Sequence, residues 1–239
     1  MSKSIDDDKL IVIQYRFLFA GDLERRFDVK LDKETLNLIQ TLKTSYPKWC
    51  KLSFHKCPNC SLDPDHHVFC PAAASIDDLV VFFRDAISYD EVSLIVQTAE
   101  RKYMKHTSLQ QGISSLLGLY MVTSGCSIME KLKPMVRYHL PFSTMRETQY
   151  RVMSMYLLAQ YFLHRRGKKT DWELKNLAEA YEDIQIVNIS LSKRLSHIKM
   201  KDAVANALVK LDMFAKNIST LINKDALDEM ECLFKAYYD

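Results

Sequence analysis

The hydrophobic period of this chain changes along its length, and that change constrains the fold more than any other feature. Ile11, Ile13, Tyr15, Phe17 and Phe19 recur at every second residue; after the pair Gly21-Asp22, so do Leu23, Arg25, Phe27, Val29 and Leu31. Residues i and i+2 share one face of an extended strand, so two such runs flanking a turn pair predict an antiparallel hairpin. Further on, Leu174, Leu177, Tyr181, Ile184, Asn188, Leu191, Leu195 and Ile198 step by three and four. Val204, Ala207, Leu211, Phe214, Ile218 and Leu221 do the same after a polar stretch at 199–202. Such spacing describes helices packed at shallow angles, here a long antiparallel helical hairpin closed by residues 226–237. The predicted class is therefore α+β.

The segments between these runs set the organisation. Residues 1–106 are expected to form a small antiparallel sheet with one packed helix. A second hairpin is predicted over 91–98 and 101–106, turning at Ala99-Glu100, and a short strand through Leu52 and Phe54. Ser75 is expected to cap the helix, whose core face is Ile76, Leu79, Val80, Phe83 and Ile87. Residues 107–239 read as helical throughout, with helices over 109–123, 128–138 and 145–164. A basic linker follows at 165–169, with Thr170 and Asp171 competing as the next N-cap. No flexible segment separates the two parts, so they are expected to pack together.

Composition narrows the class. Hydrophobic residues at 48% and charged residues at 26% of 239 exclude a disordered or low-complexity chain. A net charge of +3 is too small to imply a nucleic-acid partner. The basic linker has no interleaved aromatics, and reads as a solvated connection. The acidic run at 6–8 does not suit the start of a secretory signal, and no stretch approaches the about 20 apolar residues that cross a bilayer. A cytoplasmic protein without membrane insertion is expected, and its six cysteines are then expected to stay reduced or bind metal.

The chemistry is concentrated in one segment. Cys57-Pro58-Asn59-Cys60 places two thiols on a tight turn, at about the separation of two corners of a tetrahedral metal, and Cys70 follows ten residues later. The fourth ligand is expected to be Cys126, which follows Gly125 where a helix breaks; His66 or His67 is the alternative. Zinc–sulfur bonds of about 2.3 Å would put the four sulfurs about 3.8 Å apart. Zinc is the expected metal, with an iron–sulfur cluster as the alternative, since both use the same residues. Cys50 and Cys232 lie outside the cluster and are expected to pack in the core. A second polar group, Arg137, His139, Glu147 and Arg151, surrounds Pro141. It reads as a salt bridge between Glu147 and Arg151 beside a helix-end histidine, or as a pocket for an anion. Asn188 is expected to fix the register of the hairpin.

No phosphate loop, dinucleotide fingerprint, His-Glu-x-x-His or Gly-x-Ser-x-Gly string is present, and no reaction can be named. The expected function is a zinc-stiffened interaction or regulatory module, meeting a protein partner through its C-terminal helices. The alternative is a metalloenzyme or iron–sulfur protein acting at Cys57, Cys60 and Cys70.

Several strings carry a resemblance: Lys56-Cys57-Pro58-Asn59-Cys60, Ser108-Leu109-Gln110-Gln111, Ser124-Gly125-Cys126, Arg137-Tyr138-His139-Leu140-Pro141-Phe142 and Ser154-Met155-Tyr156-Leu157-Leu158. With them the chain resembles an uncharacterised bacterial family known only as a domain of unknown function. The resemblance implies a bacterial source and a recurring cysteine pattern, and no activity.

Overall fold

The computed structural model describes residues 9–21, 23–41, 43–221 and 224–238; the side chains of 219–226 also fall outside it. The acidic run at 6–8, Asp22 of the first turn, and the side chains of Leu221 and Ala226 thus lie outside the described residues.

Alternation builds the sheet as expected. Strands β1 (Leu10–Leu18) and β2 (Glu24–Asp32) pair antiparallel, with Ile13 opposite Val29 and Tyr15 opposite Phe27. Strands β3 (Glu91–Gln97) and β4 (Lys102–Ser108) form the second hairpin, and β3 joins the other edge of β1 to give the order β2-β1-β3-β4. Ile13, Tyr15, Phe17, Val29, Leu31, Leu94 and Val96 are buried, so the centre of one sheet face is core, while Arg25 and Lys105 at its outer strands are exposed. The opposite face carries charge, including the pair between Arg16 and Glu24 at 2.7 Å.

Between β2 and β3 the chain departs from the sequence reading in two places. Leu52 and Phe54 make no strand; the only pairing there is an isolated bridge between Lys51 and Phe69, and the rest is turn. The helix starts earlier than Ser75. Helix α1 (Pro71–Ser75) begins after Cys70, with Pro71 in the first turn, where its fixed φ and missing N–H cost nothing. Ile76, at φ −99° and ψ 0°, then separates α1 from α2 (Asp77–Phe82), and Ile87 is exposed rather than on the core face. Ser75 turns its hydroxyl back onto Ala72 O instead of capping.

β4 passes directly into α3 (Leu109–Thr123), which lies against the buried sheet face and is itself buried on nearly all sides. Gly112 permits the close approach: a Cβ there would stand 2.8 Å from Phe17 Cε1 and 2.9 Å from Leu94 Cδ2. A short 3-10 turn (Met129–Leu132) and α4 (Lys133–Arg137) lead to α5 (Met145–Arg165). Helices α6 (Lys175–Leu195) and α7 (Ala203–Leu221) form the predicted hairpin, with α7 packed on α3 and α6 on α7. Asn188 is buried in it. The first residue of α6 is Lys175 rather than a neighbour of Thr170, though Asp171 Oδ2 still accepts the Asn176 N–H at 2.7 Å. Asp202 fastens the start of α7 to the sheet half, accepting the Ser88 N–H at 2.9 Å and the Ser88 O–H at 2.7 Å. Helix α8 (Lys224–Glu231) and a final 3-10 segment (Cys232–Tyr237) follow. One continuous apolar core runs from Ile13 in the sheet to Ile218 in the hairpin.

Candidate functional site

The cysteine segment is a loop whose two limbs are zipped at the base. The Cys70 N–H donates to Cys50 O at 2.8 Å and the Leu52 N–H to Val68 O at 2.9 Å, so Cys70 returns beside the strand of chain that leads to Cys57. At the tip, the Cys60 N–H donates to Cys57 O at 3.0 Å, closing the tight Cys-x-x-Cys turn. Asn59 anchors that turn to α6, its Nδ2 donating to Asp183 O at 3.1 Å and Asp183 Oδ1 at 2.9 Å. Cys126 arrives from the far end of α3. Gly125 there takes φ +89°, a left-handed conformation that glycine adopts without a Cβ penalty, and the chain reverses after Thr123.

Cys57, Cys60, Cys70 and Cys126 all line one cavity of about 20 Å³. That is room for roughly one water-sized atom. The four are free thiols, with Cys57 and Cys70 buried and the other two half-buried. They surround the cavity without closing on a common point: among the described residues, no three His, Cys, Asp or Glu groups stand so as to hold a metal ion. Burial raises the pKa of Cys70 and of Cys126, and the neighbouring cysteines push the same way. Backbone amides oppose this. Ala73 acts on the Cys70 sulfur, and Met129 and Ile128 on that of Cys126, each favouring the thiolate. After burial the Ala73 amide is the largest influence on Cys70, and the Arg194 charge adds to it in favour of the thiolate.

Arg194 completes the cavity wall, with Val187 and Leu191 on the same face of α6. It is 1% exposed, yet no carboxylate among the described residues pairs with it. Its guanidinium donates instead to three carbonyls: Trp49 O at 2.8 Å, Lys51 O at 2.6 Å and Leu52 O at 3.3 Å. Its Nε has no partner. A buried cation held only by neutral groups costs several kcal/mol unless negative charge lies near, and the cysteine sulfurs are the groups beside it. Sequence reasoning missed Arg194, because a cation in the last turn of a helix reads as an ordinary complement to the helix dipole.

The other expected ligands lie elsewhere. His66 and His67 are exposed and do not line the cavity; His66 Nδ1 pairs with Asp63 Oδ2 at 2.9 Å. Cys50 is buried in the core as expected, its S–H directed at Ala73 O at 3.7 Å. Cys232, expected in the core, is instead exposed on the final 3-10 segment.

The second polar group divides. His139 and Arg151 line a larger cavity of about 210 Å³ between α3, α5, α6 and α7, whereas Arg137 is exposed and lines none of it. Glu147 makes no salt bridge with Arg151. Its carboxylate accepts the Thr144 N–H at 2.7 Å while Thr144 Oγ1 accepts the Glu147 N–H at 3.2 Å, a capping box that starts α5. Arg151 Nη2 donates to Met135 O at 3.0 Å and Tyr138 O at 2.8 Å. His139 Nε2 stands 2.6 Å from Tyr15 Oη, which is 2.8 Å from Ser115 Oγ. Burial, with the nearby Arg151 charge, lowers the His139 pKa to about 4. Tyr15 reads as a plain core residue in sequence, so its tie to His139, more than a hundred residues away, carried no local signal.

Among the described residues no helix is long and apolar enough to cross a membrane. No curated protein and no solved structure matches the chain. One family model does, over residues 13–235, a span that takes in the sheet, the hairpin and all four cavity-lining cysteines. The chain belongs to that family, a domain of unknown function (DUF6901).

Proposed function

We propose that this protein is a metal-binding interaction module in which zinc, held by Cys57, Cys60, Cys70 and Cys126, fastens the helical half to the sheet half. The observation that carries the reading is the convergence of four cysteines, from segments far apart in sequence, on one cavity with room for one atom. A turn of 120° about a cysteine Cα–Cβ bond moves its sulfur by about 3 Å, so the thiols can close on an ion with the backbone in place. Four thiolates on a divalent ion leave two net negative charges, which Arg194, held by carbonyls and by no carboxylate among the described residues, offsets from beside them. The amides at Cys70 and Cys126 act in the same direction. A cavity of this size suits a single ion better than a cluster with bridging sulfides. A site closed by four protein ligands is structural, which agrees with the missing catalytic strings. Free thiols fit a reducing compartment, and we place the protein in the cytoplasm, its helical hairpin offering the surface for a protein partner.

Metal analysis of the purified protein and single variants tests this. The expected result is one zinc per chain, retained in His66→Ala and His67→Ala and lost in Cys126→Ser. Retention of zinc in Cys126→Ser, with loss in either histidine variant, would make the site local to the loop. A brown protein absorbing near 400 nm would replace zinc with an iron–sulfur cluster.

A further inference from the structure

The larger cavity has the make-up of a ligand site rather than of a packing defect. Its volume of about 210 Å³ far exceeds the voids that a well-packed core leaves. Its walls are mainly apolar, with Leu119 and Val122 of α3, Ile184 of α6, and Leu211 and Phe214 of α7. A few polar groups converge at one end. Arg151, His139 and Tyr181 lie close enough there for the guanidinium charge to act on both rings. An apolar body with a small set of oriented polar groups is the usual composition of a small-molecule pocket.

The polar groups have unused hydrogen-bonding capacity. Arg151 commits only Nη2 to backbone carbonyls, and Glu147, one turn away, is occupied at Thr144. Nε and Nη1 of Arg151 make no hydrogen bond among the described residues. The Tyr181 hydroxyl, on a residue 5% exposed, also has no hydrogen-bond partner among them. Asn188, 2% exposed and lining the same cavity, leaves its Nδ2 unpaired. Arg151 can only donate, and the Tyr181 hydroxyl and the Asn188 amide can donate too. Unpaired donors in an apolar site are costly and select a ligand that accepts hydrogen bonds. With His139 neutral and tied to Tyr15, the guanidinium is the one full charge at that end. No cysteine lines this cavity, so the site is independent of the metal centre.

We propose that the cavity between α3, α5, α6 and α7 binds a small aliphatic carboxylate, its head group accepting from Arg151 and Tyr181 and its chain lying along Leu119, Ile184 and Leu211. The space is about ten times that of the cysteine cavity, which has room for one water-sized atom, so it takes roughly ten non-hydrogen atoms. Acids of roughly six to nine carbons fit that limit.

Octanoate is the probe, and octanol, with the same chain and no charge, is its control. Titration of the full-length protein, followed by calorimetry and by the carbonyl resonance of carboxyl-labelled octanoate, should show one saturable site per chain. Octanol should bind at least tenfold more weakly. Arg151→Gln, which keeps an amide donor for the carbonyls of Met135 and Tyr138, should weaken octanoate at least tenfold and leave octanol unchanged. Ala215→Met, which fills the cavity from α7, should abolish both. Each variant is first checked for the wild-type circular dichroism spectrum; if Arg151→Gln fails that check, the comparison of octanoate with octanol on the wild-type protein decides. No saturable octanoate binding at millimolar concentration, equal binding of octanol, or binding that survives in Ala215→Met overturns the proposal.

Discussion

His139 is where a single side chain makes the protein sensitive to acid. Its pKa falls to about 4 because burial, reinforced by Arg151, disfavours the imidazolium. In the unfolded chain the group titrates near 6.5, so between these values the unfolded state binds the extra proton and folding stability rises with pH. The contribution is complete above about 6.5 and is lost as pH falls towards 4, amounting to about 3 kcal/mol. Urea unfolding at pH 7 and pH 4.5 should show a larger acid loss in wild type than in His139→Gln, which keeps a hydrogen-bonding group for Tyr15. Equal losses would mean that the imidazole is solvated in the native state. Arg194 makes the complementary case, a fixed charge in need of a counter-charge. Arg194→Met is expected to weaken zinc by about 10–100-fold, as loss of an outer partner of a metal site generally does, measured by competition with a chromophoric chelator. Unchanged affinity would show that the guanidinium serves only the carbonyls of Trp49, Lys51 and Leu52. Neither environment was legible in the sequence, because both arise from burial across long separations, whereas the tight turn from Cys57 to Cys60 was legible from its spacing alone.

Among the elements, α3 bears the tightest constraint. It touches the sheet on one side and α7 on the other, and Gly112 is the position where helix and sheet come closest. Gly112→Ala would raise helix propensity by up to about 1 kcal/mol. The new methyl would also press on Phe17 and Leu94, both fully buried, at a cost of about 1–3 kcal/mol from overpacking. Net destabilisation is expected, seen as a lower denaturation midpoint; an unchanged or higher midpoint would show that the ring of Phe17 yields. The strands and the hairpin were legible because each obeys one period over several turns. The loop from Leu52 to Phe69 was not, because zipping through Cys50, Leu52 and Lys51 leaves no periodic trace. The early start of α1 was missed for a related reason: Ser75 looked like a cap, while the residue in the capping position, Cys70, was read only as a ligand. The Glu147–Arg151 pair shows the limit of spacing arguments, since a capping box outcompeted an ion pair of ideal separation.

At the scale of the molecule, the expected boundary at 106/107 falls inside β4, which continues to Ser108 and enters α3 without a break. One apolar core crosses that boundary, and the cysteine cavity lies where the loop of the sheet half, the end of α3 and the face of α6 meet. An ion there would cross-link segments that are distant in sequence, adding its binding free energy to the stability of the whole fold. The cysteine convergence itself was partly legible: Gly125 marked Cys126 as a residue on a connection, which can be aimed, rather than on a helix face. X-ray absorption at the zinc edge of the purified protein tests the central claim most directly. A first shell of four sulfurs at about 2.3 Å is the result this account predicts. A shell containing nitrogen at about 2.0–2.1 Å, or protein that contains no zinc, would contradict it.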